Sequence, residues 1–357
     1  MKKIAIITLV DYNIGNRLQN YALQNTLEKI GLDVTTLRYQ SAQLRKVEMK
    51  DIPRGLLGLV GIKRFQKRYW NLKRKRRYEN FNKDKLSMGM NINIDNLDNI
   101  VDSYDYYIAG SDQVWHNWKL GKKELEYFYM MFAPTNKRLT YAPSFGFETF
   151  PEEDIEIHKQ GLLNLKALSC REHDGCDLIK GLVGIEAQQL IDPTFLLDLN
   201  TWKMMEKMPK WANEREKYIL CYFLGSTTED YKQYISKYAK KKSCKLIFVY
   251  SGSSYNEYSV MPDEFLYLLD KAEFVFTDSF HACAFSLIYE KQFIAFPRVQ
   301  KNMEGMRGRI DTLFSMLDMN SRWYVDADPE DAIDISYKKI IRDEKEKALN
   351  YLKAMTR

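Results

Sequence analysis

Two groups of residues in the C-terminal half of the chain combine types and spacing suited to a small anion. Thr277-Asp278-Ser279-Phe280-His281 stands between a short apolar run, Phe274-Val275-Phe276, and a helical pattern over 280–289. Asp278 or Ser279 suits the N-cap of that helix, and the unpaired N–H groups of a helix start favour a phosphate or carboxylate. His281 then falls in the first turn, where an imidazole can act as general acid or anion clamp. The alternative is a plain cap with a packed histidine. The next loop carries Arg298, Lys301, Arg307 and Arg309 among Asn302, Gly305 and Gly308. Guanidinium groups pair bidentately with phosphate and carboxylate, so two or three beside His281 would hold a dianionic substrate. The alternative is a set of solvated surface arginines.

Three further loops have the composition of a ligand-binding edge. In Asp11-Tyr12-Asn13-Ile14-Gly15-Asn16-Arg17, Gly15 permits a tight turn, while Asn16, Arg17 and Gln19 supply polar side chains. Gly110-Ser111-Asp112-Gln113-Val114-Trp115 and Ser144-Phe145-Gly146 mix polar and aromatic residues as a sugar site does, although Trp115 fits a core equally well. None of these is a G-x-G-x-x-G, Walker or G-x-S-x-G motif.

The elements that must carry these loops are legible in the apolar pattern. Lys3 to Val10 reads as a buried parallel strand, residues 18–30 as a helix ending at Gly31, and Asp33–Leu37 as the next strand. That is a βαβ unit, and the same grammar recurs at Tyr104–Ala109, Arg138–Ala142 and Ala167–Arg171. A second series runs through Tyr218–Phe223, a helix over 229–241, Leu246–Tyr250, a helix over 263–272, the strand before Thr277, and Gln292–Phe296. The expected fold class is α/β: two Rossmann-like domains whose parallel sheets face a cleft. The N-terminal domain is expected over 1–195 with a basic insertion at about 52–80, and the C-terminal one over 215–320. A helical segment should fill 321–357. Open parallel sheets bind ligands at the carboxyl ends of their strands, where every loop named above falls.

A chain of 357 residues with 45% apolar and 29% charged residues can bury two ordinary cores and is not disordered as a whole. No apolar run reaches the ~20 residues of a spanning helix. Met1-Lys2-Lys3-Ile4-Ala5-Ile6-Ile7 begins like a signal peptide, but Asp11 and Asn13 end it early, so a cytoplasmic location is expected. Five scattered cysteines without a C-x-x-C pair are read as free thiols, with no zinc site.

The net charge of +6 is unevenly spread. Lys63, Arg64, Lys67, Arg68, Lys73, Arg74, Lys75, Arg76 and Arg77 occur without one acid between them. They follow the apolar stretch Gly55–Ile62 and alternate with Phe65, Tyr69, Trp70 and Leu72 at helical spacing. Such a basic amphipathic helix fits peripheral contact with an anionic inner membrane. A solvated helix packed on its own domain is the alternative, and nucleic acid lacks a recognition module here.

Taken in order, Asn13-Ile14-Gly15-Asn16, Ala109 to Trp115, Tyr141 to Gly146, Ser169-Cys170-Arg171-Glu172, Asp192-Pro193-Thr194 and Thr277 to His281 resemble the polysaccharide pyruvyl transferase family. The resemblance spans most of the chain. It implies a GT-B-like fold, like that of the two-domain glycosyltransferases, and transfer of the enolpyruvyl unit of phosphoenolpyruvate to a sugar of a cell-surface polysaccharide precursor, sometimes lipid-linked, as a cyclic ketal. No metal or other cofactor is implied. His281 would protonate the donor or hold its phosphate, the arginines would neutralise the anion, and Asp11 or Asp112 would orient acceptor hydroxyls. Many members carry Arg-Leu-His where this chain has Ser279-Phe280-His281, which leaves Arg298, Arg307 or Arg309 to supply the missing cation. Asn16 also stands where Asp is frequent. A nucleotide-sugar glycosyltransferase and a non-catalytic glycan-binding relative remain alternatives, because fold alone does not choose among them.

Overall fold

The computed structural model describes residues 1–40, 63–94, 97–117, 121–250, 254–299 and 306–357. The chain forms two units, one of Met1–Leu196 with Glu346–Arg357, the other of Leu197–Lys345.

In the first unit the elements run β1 (Lys3–Ile7), α1 (Ile14–Lys29), β2 (Asp33–Gln40), α2 (Lys63–Lys85), β3 (Met88–Asn93), β4 (Tyr106–Ala109), α3 (Lys122–Phe128) and β5 (Arg138–Thr140). They continue through α4 (Ile155–Leu163), β6 (Ser169–Cys170), α5 (His173–Val183) and β7 (Gln188–Gln189). The five-stranded sheet has the order β3-β2-β1-β4-β5, and every pairing in it is parallel. Ile4, Ala5, Ile6 and Ile7 are all at 0% exposure, as a central strand covered on both faces requires.

The second unit contains α6 (Leu199–Met205), β8 (Tyr218–Tyr222), α7 (Glu229–Lys242), β9 (Lys245–Val249), α8 (Tyr255–Tyr258), α9 (Pro262–Lys271) and β10 (Phe274–Thr277). These lead into α10 (Phe280–Ile288), β11 (Phe293–Ala295) and α11 (Met306–Met316). Its sheet, in the order β11-β10-β8-β9, is also parallel throughout. Helix α7 is written plainly in the sequence: the Thr228 side chain accepts from Tyr231 N, Glu229 and Asp230 open it, and Lys240, Lys241 and Lys242 close it, all matching the helix dipole. The fold class is therefore α/β, with one main parallel sheet in each unit and a two-stranded parallel pair, β6–β7, beside the first.

Two segments differ from expectation. Unit 2 starts at Leu197 because α6 belongs to its core: Trp202 is fully buried and meets Phe285 edge-on at 4.9 Å between ring centroids. Residues 321–336 contain no helix. Trp323 instead bridges to Ala295 in parallel, and Arg322 Nε donates to the Phe293 carbonyl at 3.0 Å, so this stretch borders the sheet edge. The last helix is α12 (Tyr337–Met355), and in unit 1 its Tyr351 hydroxyl donates to the Thr140 carbonyl at 3.0 Å. All five cysteines are free. Among the described residues no helix is long and apolar enough to cross a membrane.

Within unit 1, His158 on α4 is completely buried among Phe145, Phe147 and Phe150, with its Nδ1 2.8 Å from the Tyr129 hydroxyl. Burial, helped by nearby His116, depresses its pKa from 6.5 to about 4. The folded state thus refuses a proton that the unfolded chain accepts, so stability is complete above about pH 6.5 and falls as pH drops towards 4. Replacing His158 by Phe should flatten this acid limb. In urea titrations at successive pH values, its stability should fall less steeply than wild type between pH 6.5 and 4, by up to ~1.4 kcal/mol per pH unit. Parallel slopes would show that His158 is not the group responsible.

Candidate functional site

An open parallel sheet binds ligands where its strand order reverses, in the crevice outside the strands' carboxyl ends. In unit 1 that reversal lies between β1 and β4, because β1 pairs with β2 on one side and β4 on the other. In unit 2 it lies between β8 and β10, since β8 pairs with β9 and β10. The loops after these four strands are 8–13, 110–113, 223–228 and 278–279. Three of the four were singled out by their residue types; the loop after β8 was not.

In unit 2 the two switch-point loops are joined by one carboxylate. Asp278 Oδ1 accepts from Leu224 N and Oδ2 from Gly225 N, each at 2.7 Å. Arg298 Nη2 donates to the Asp278 carbonyl at 3.0 Å, while its Nε lies 3.5 Å from Oδ2. Thr277 Oγ1 donates to the Tyr222 carbonyl at 2.6 Å and accepts from Ser279 N at 3.0 Å. Gly225 fits a crowded position, as a Cβ there would stand 2.8 Å from Arg298 Cγ and 3.0 Å from Asp278 Oδ2. The sequence gives little warning of this residue beyond a glycine just past a strand.

These contacts revise the expected roles. Ser279 occupies the N-cap of α10 without a side-chain capping bond, and Asp278 faces the β8 loop instead of capping the helix. Thr277, Asp278 and Arg298 therefore hold the loops together. His281 is the second residue of α10, 7% exposed, with its ring edge-on to Phe280 at 5.4 Å. Arg298 is matched by Asp278, and Arg307, exposed on α11, by Asp311 at 3.3 Å and by the Trp323 ring at 5.0 Å. Neither brings uncompensated charge for an anion. Arg309 is buried on the same helix. Asn302 lies outside the described residues, as do Lys301 and Gly305.

At the unit 1 switch point, Asn13 caps α1, its side chain accepting from Gly15 N at 2.8 Å and Asn16 N at 3.4 Å. Gly15 is thus a first-turn helical residue and not a turn glycine. Asn16 is 8% exposed, whereas Asp11 is exposed in the loop. Arg17 is fully buried beneath that loop, its Nη2 donating to the Val10 carbonyl. Burial and neighbouring Arg38 push its pKa down to about 10. Arg17 therefore supports the loop from inside. Gln19 Nε2 donates to Thr8 Oγ1 at 2.9 Å, and Thr8 Oγ1 donates to the Ser111 carbonyl at 2.8 Å, which ties the two loops together. Gly110 packs so tightly that a Cβ would meet Ile6, Leu23 and Thr8 at 3.3 Å.

Asp112 adopts a φ of +93°, costly for a residue with a Cβ and characteristic of functional positions. Its Oδ1 accepts from Gln113 N at 2.9 Å, and its buried Oδ2 has no hydrogen-bond partner among the described residues. Ser111 and Ser144, expected to meet ligand, belong instead to a buried ionic network. Asp192 Oδ2 accepts from Ser111 Oγ and from Arg171 Nη1, both at 2.9 Å, and Asp192 Oδ1 accepts from Thr194 Oγ1 at 2.8 Å. Glu172 Oε1 accepts from Ser144 Oγ and from Phe145 N. Burial would lower the Arg171 guanidinium, but Glu172, Asp192 and Asp112 outweigh it and raise its pKa. Trp115 and Phe145 are core residues at 0% exposure, and Trp115 stacks on Tyr129 at 5.3 Å. Gly146, at φ +72°, leaves no room for a Cβ beside Gln113.

The fold and its loops define a class: an α/β protein of two Rossmann-like units, each with a rigidly braced polar loop pair at its switch point. The chain belongs to the polysaccharide pyruvyl transferase family, whose model matches residues 13–298. No protein of curated function matches the sequence significantly. Among solved structures, a UDP-GlcNAc 2-epimerase from Methanocaldococcus jannaschii is similar at 12% identity and a TM-score of 0.48, covering 96% of this chain and 99% of that one. MurG of Acinetobacter baumannii is similar at 7% identity and a TM-score of 0.40, covering 98% and 95%. At such values the likeness says nothing of substrate.

Asp278→Asn tests the bracing of unit 2. One amide oxygen can accept from only one of the two loop N–H groups, and the amide nitrogen then faces the other donor. With Arg298 also left without its counter-charge, unfolding by guanidinium should show a loss of about 3–5 kcal/mol. A loss under ~1 kcal/mol would mean that the carboxylate does not hold the loops.

Proposed function

We propose that this protein transfers the enolpyruvyl unit of phosphoenolpyruvate to a sugar of a polysaccharide precursor and closes it as a cyclic ketal. The observation that carries the reading is His281 in the first turn of α10, beside the switch-point loop fixed by Asp278. The N-terminus of that nine-residue helix favours an anionic group. Unit 2 is accordingly the donor side and unit 1 the acceptor side.

The chemistry balances without a redox partner. A proton from His281 adds to the methylene carbon of phosphoenolpyruvate, and the positive charge left on the adjacent carbon is met by one sugar hydroxyl, which loses its proton. A second hydroxyl then displaces inorganic phosphate from the same carbon and completes the ketal. Asp112, held in a strained backbone with Oδ2 unsatisfied, has an acceptor atom for a sugar hydroxyl proton. Asp11, exposed in the neighbouring loop, is the second candidate for orienting the acceptor. Replacement of the family arginine by Ser279 reduces the positive charge at the donor loop, and weaker phosphoenolpyruvate affinity is the expected consequence.

His281→Ala should lower pyruvate incorporation from labelled phosphoenolpyruvate into an acceptor glycan by about 10²–10⁴-fold. A matched circular dichroism melt establishes that the variant is folded. Unchanged turnover in a folded variant would remove His281 from the mechanism.

A further inference from the structure

Tyr12 supplies no atom to the chemistry proposed above, yet two elements of unit 1 grip it. It is the middle residue of a tight turn in the loop after β1, where Asn13 N donates to the Asp11 carbonyl at 2.8 Å. Its hydroxyl donates to Glu79 Oε1 at 2.8 Å and accepts from Arg38 Nη2 at 3.0 Å. Arg38, on β2, forks onto Glu79, on α2, with Nη1 to Oε2 at 3.0 Å and Nη2 to Oε1 at 2.7 Å. Burial would raise the Glu79 carboxyl, but Arg38 and Tyr12 outweigh it and hold it below the usual carboxylate range. The Tyr12 carbonyl accepts from Arg74 Nη2 at 2.7 Å. Its ring has Lys75 Nζ at 5.5 Å and the Tyr78 ring, edge-on, at 5.7 Å.

The spacing on α2 explains how one helix reaches hydroxyl, ring and carbonyl together. Arg74, Lys75, Tyr78 and Glu79 stand at i, i+1, i+4 and i+5, which puts them on one face. Tyr78, at 0% exposure, anchors that face in the unit. Over these turns the basic run is thus a helix packed on its own unit, the alternative that the sequence allowed. Gly55–Ile62, the apolar stretch before it, lies outside the described residues. The turn cannot swing without breaking charge-assisted bonds, which are about twice as strong as neutral ones. On its two flanks stand Asp11, the candidate for orienting an acceptor hydroxyl, and Asn13, the cap of α1.

We propose that Tyr12 is a positioning residue for the acceptor sugar: gripped by α2 and β2, it fixes the turn from which Asp11 meets an acceptor hydroxyl. This rests on the transferase reading and on unit 1 being its acceptor side. The test compares wild type with Tyr12→Phe, which keeps the ring and removes both hydroxyl bonds. Pyruvate transfer from labelled phosphoenolpyruvate is measured with a set of p-nitrophenyl hexosides as acceptors, and KM is taken for each substrate. The acceptor KM should rise about tenfold, the weight of one hydrogen bond to a charged group, while that for phosphoenolpyruvate stays within about twofold. Hydrogen exchange reports the turn itself: the Asn13 amide should exchange about tenfold faster in the variant, with the amides of β10 unchanged. Glu79→Gln, which removes the charge from the same bond, should move both readouts the same way. An unmoved acceptor KM in an active enzyme, or an unmoved Asn13 exchange rate, would overturn the role of Tyr12 alone. Equal rises in both KM values with a lowered melting temperature would do so too, as the mark of general destabilisation. Wild type inactive on every acceptor would overturn the transferase reading and the role of Tyr12 together.

Discussion

The unit 2 site depends on one carboxylate. Asp278 accepts two backbone N–H groups from the loop after β8 while standing on the loop after β10, so the two edges of the switch-point crevice cannot separate. Charge-assisted bonds of this kind contribute about 1.5–3 kcal/mol each, but only because Arg298 balances the buried charge. The arrangement in turn crowds position 225, where a Cβ would force the Arg298 or Asp278 side chain to shift. A helix that starts two residues beyond Asp278 inherits this rigidity, so His281 sits on a fixed base.

Unit 1 solves the same problem with more parts. Asp192, Arg171 and Glu172 form a buried chain that grips Ser111 after β4 and Ser144 after β5, and Thr8 and Gln19 tie in the loop after β1. Several family motifs thus prove to be bracing. Residues such as Arg171 and Asp192 are buried, yet they fix the loops in which Asp112 is forced to φ +93°. That strain persists only because the surrounding bonds over-determine it.

How much of this was legible in the sequence depended on the kind of signal. The uninterrupted aliphatic run of β1, the caps and charges of α7 and the strand–loop–helix alternation all gave elements of the right type, because local pattern and tertiary burial agree there. The loops at the switch points were also recognisable by residue type. Their inner workings were not. Nothing local distinguishes a serine that meets ligand from one that binds a buried carboxylate 28 residues away, as Ser144 does. Trp115 looked equally suited to a sugar or a core, and stacking on Tyr129 assigns it to the core; Phe145, expected at a sugar, is core as well. Arg298 read as an anion-binding cation because its counter-ion, Asp278, lies 20 residues away, whereas Asp311 pairs with Arg307 one helical turn along the same helix. Residues 321–336 lacked a helix because Trp323 and Arg322 bond to the β11 edge, a tertiary override that no helical propensity reveals.

The proposed function makes the loop braced by Asp278 a site for phosphoenolpyruvate. The most direct measurement is the thermal unfolding of wild-type protein in the presence of phosphoenolpyruvate, compared with UDP-GlcNAc and inorganic phosphate. A ligand that binds only the folded state raises its melting temperature in proportion to the logarithm of its concentration over Kd. Phosphoenolpyruvate should give a rise that grows with the logarithm of its concentration and exceeds the rise with phosphate, and the nucleotide sugar should give none. Stabilisation by UDP-GlcNAc with no response to phosphoenolpyruvate would contradict it.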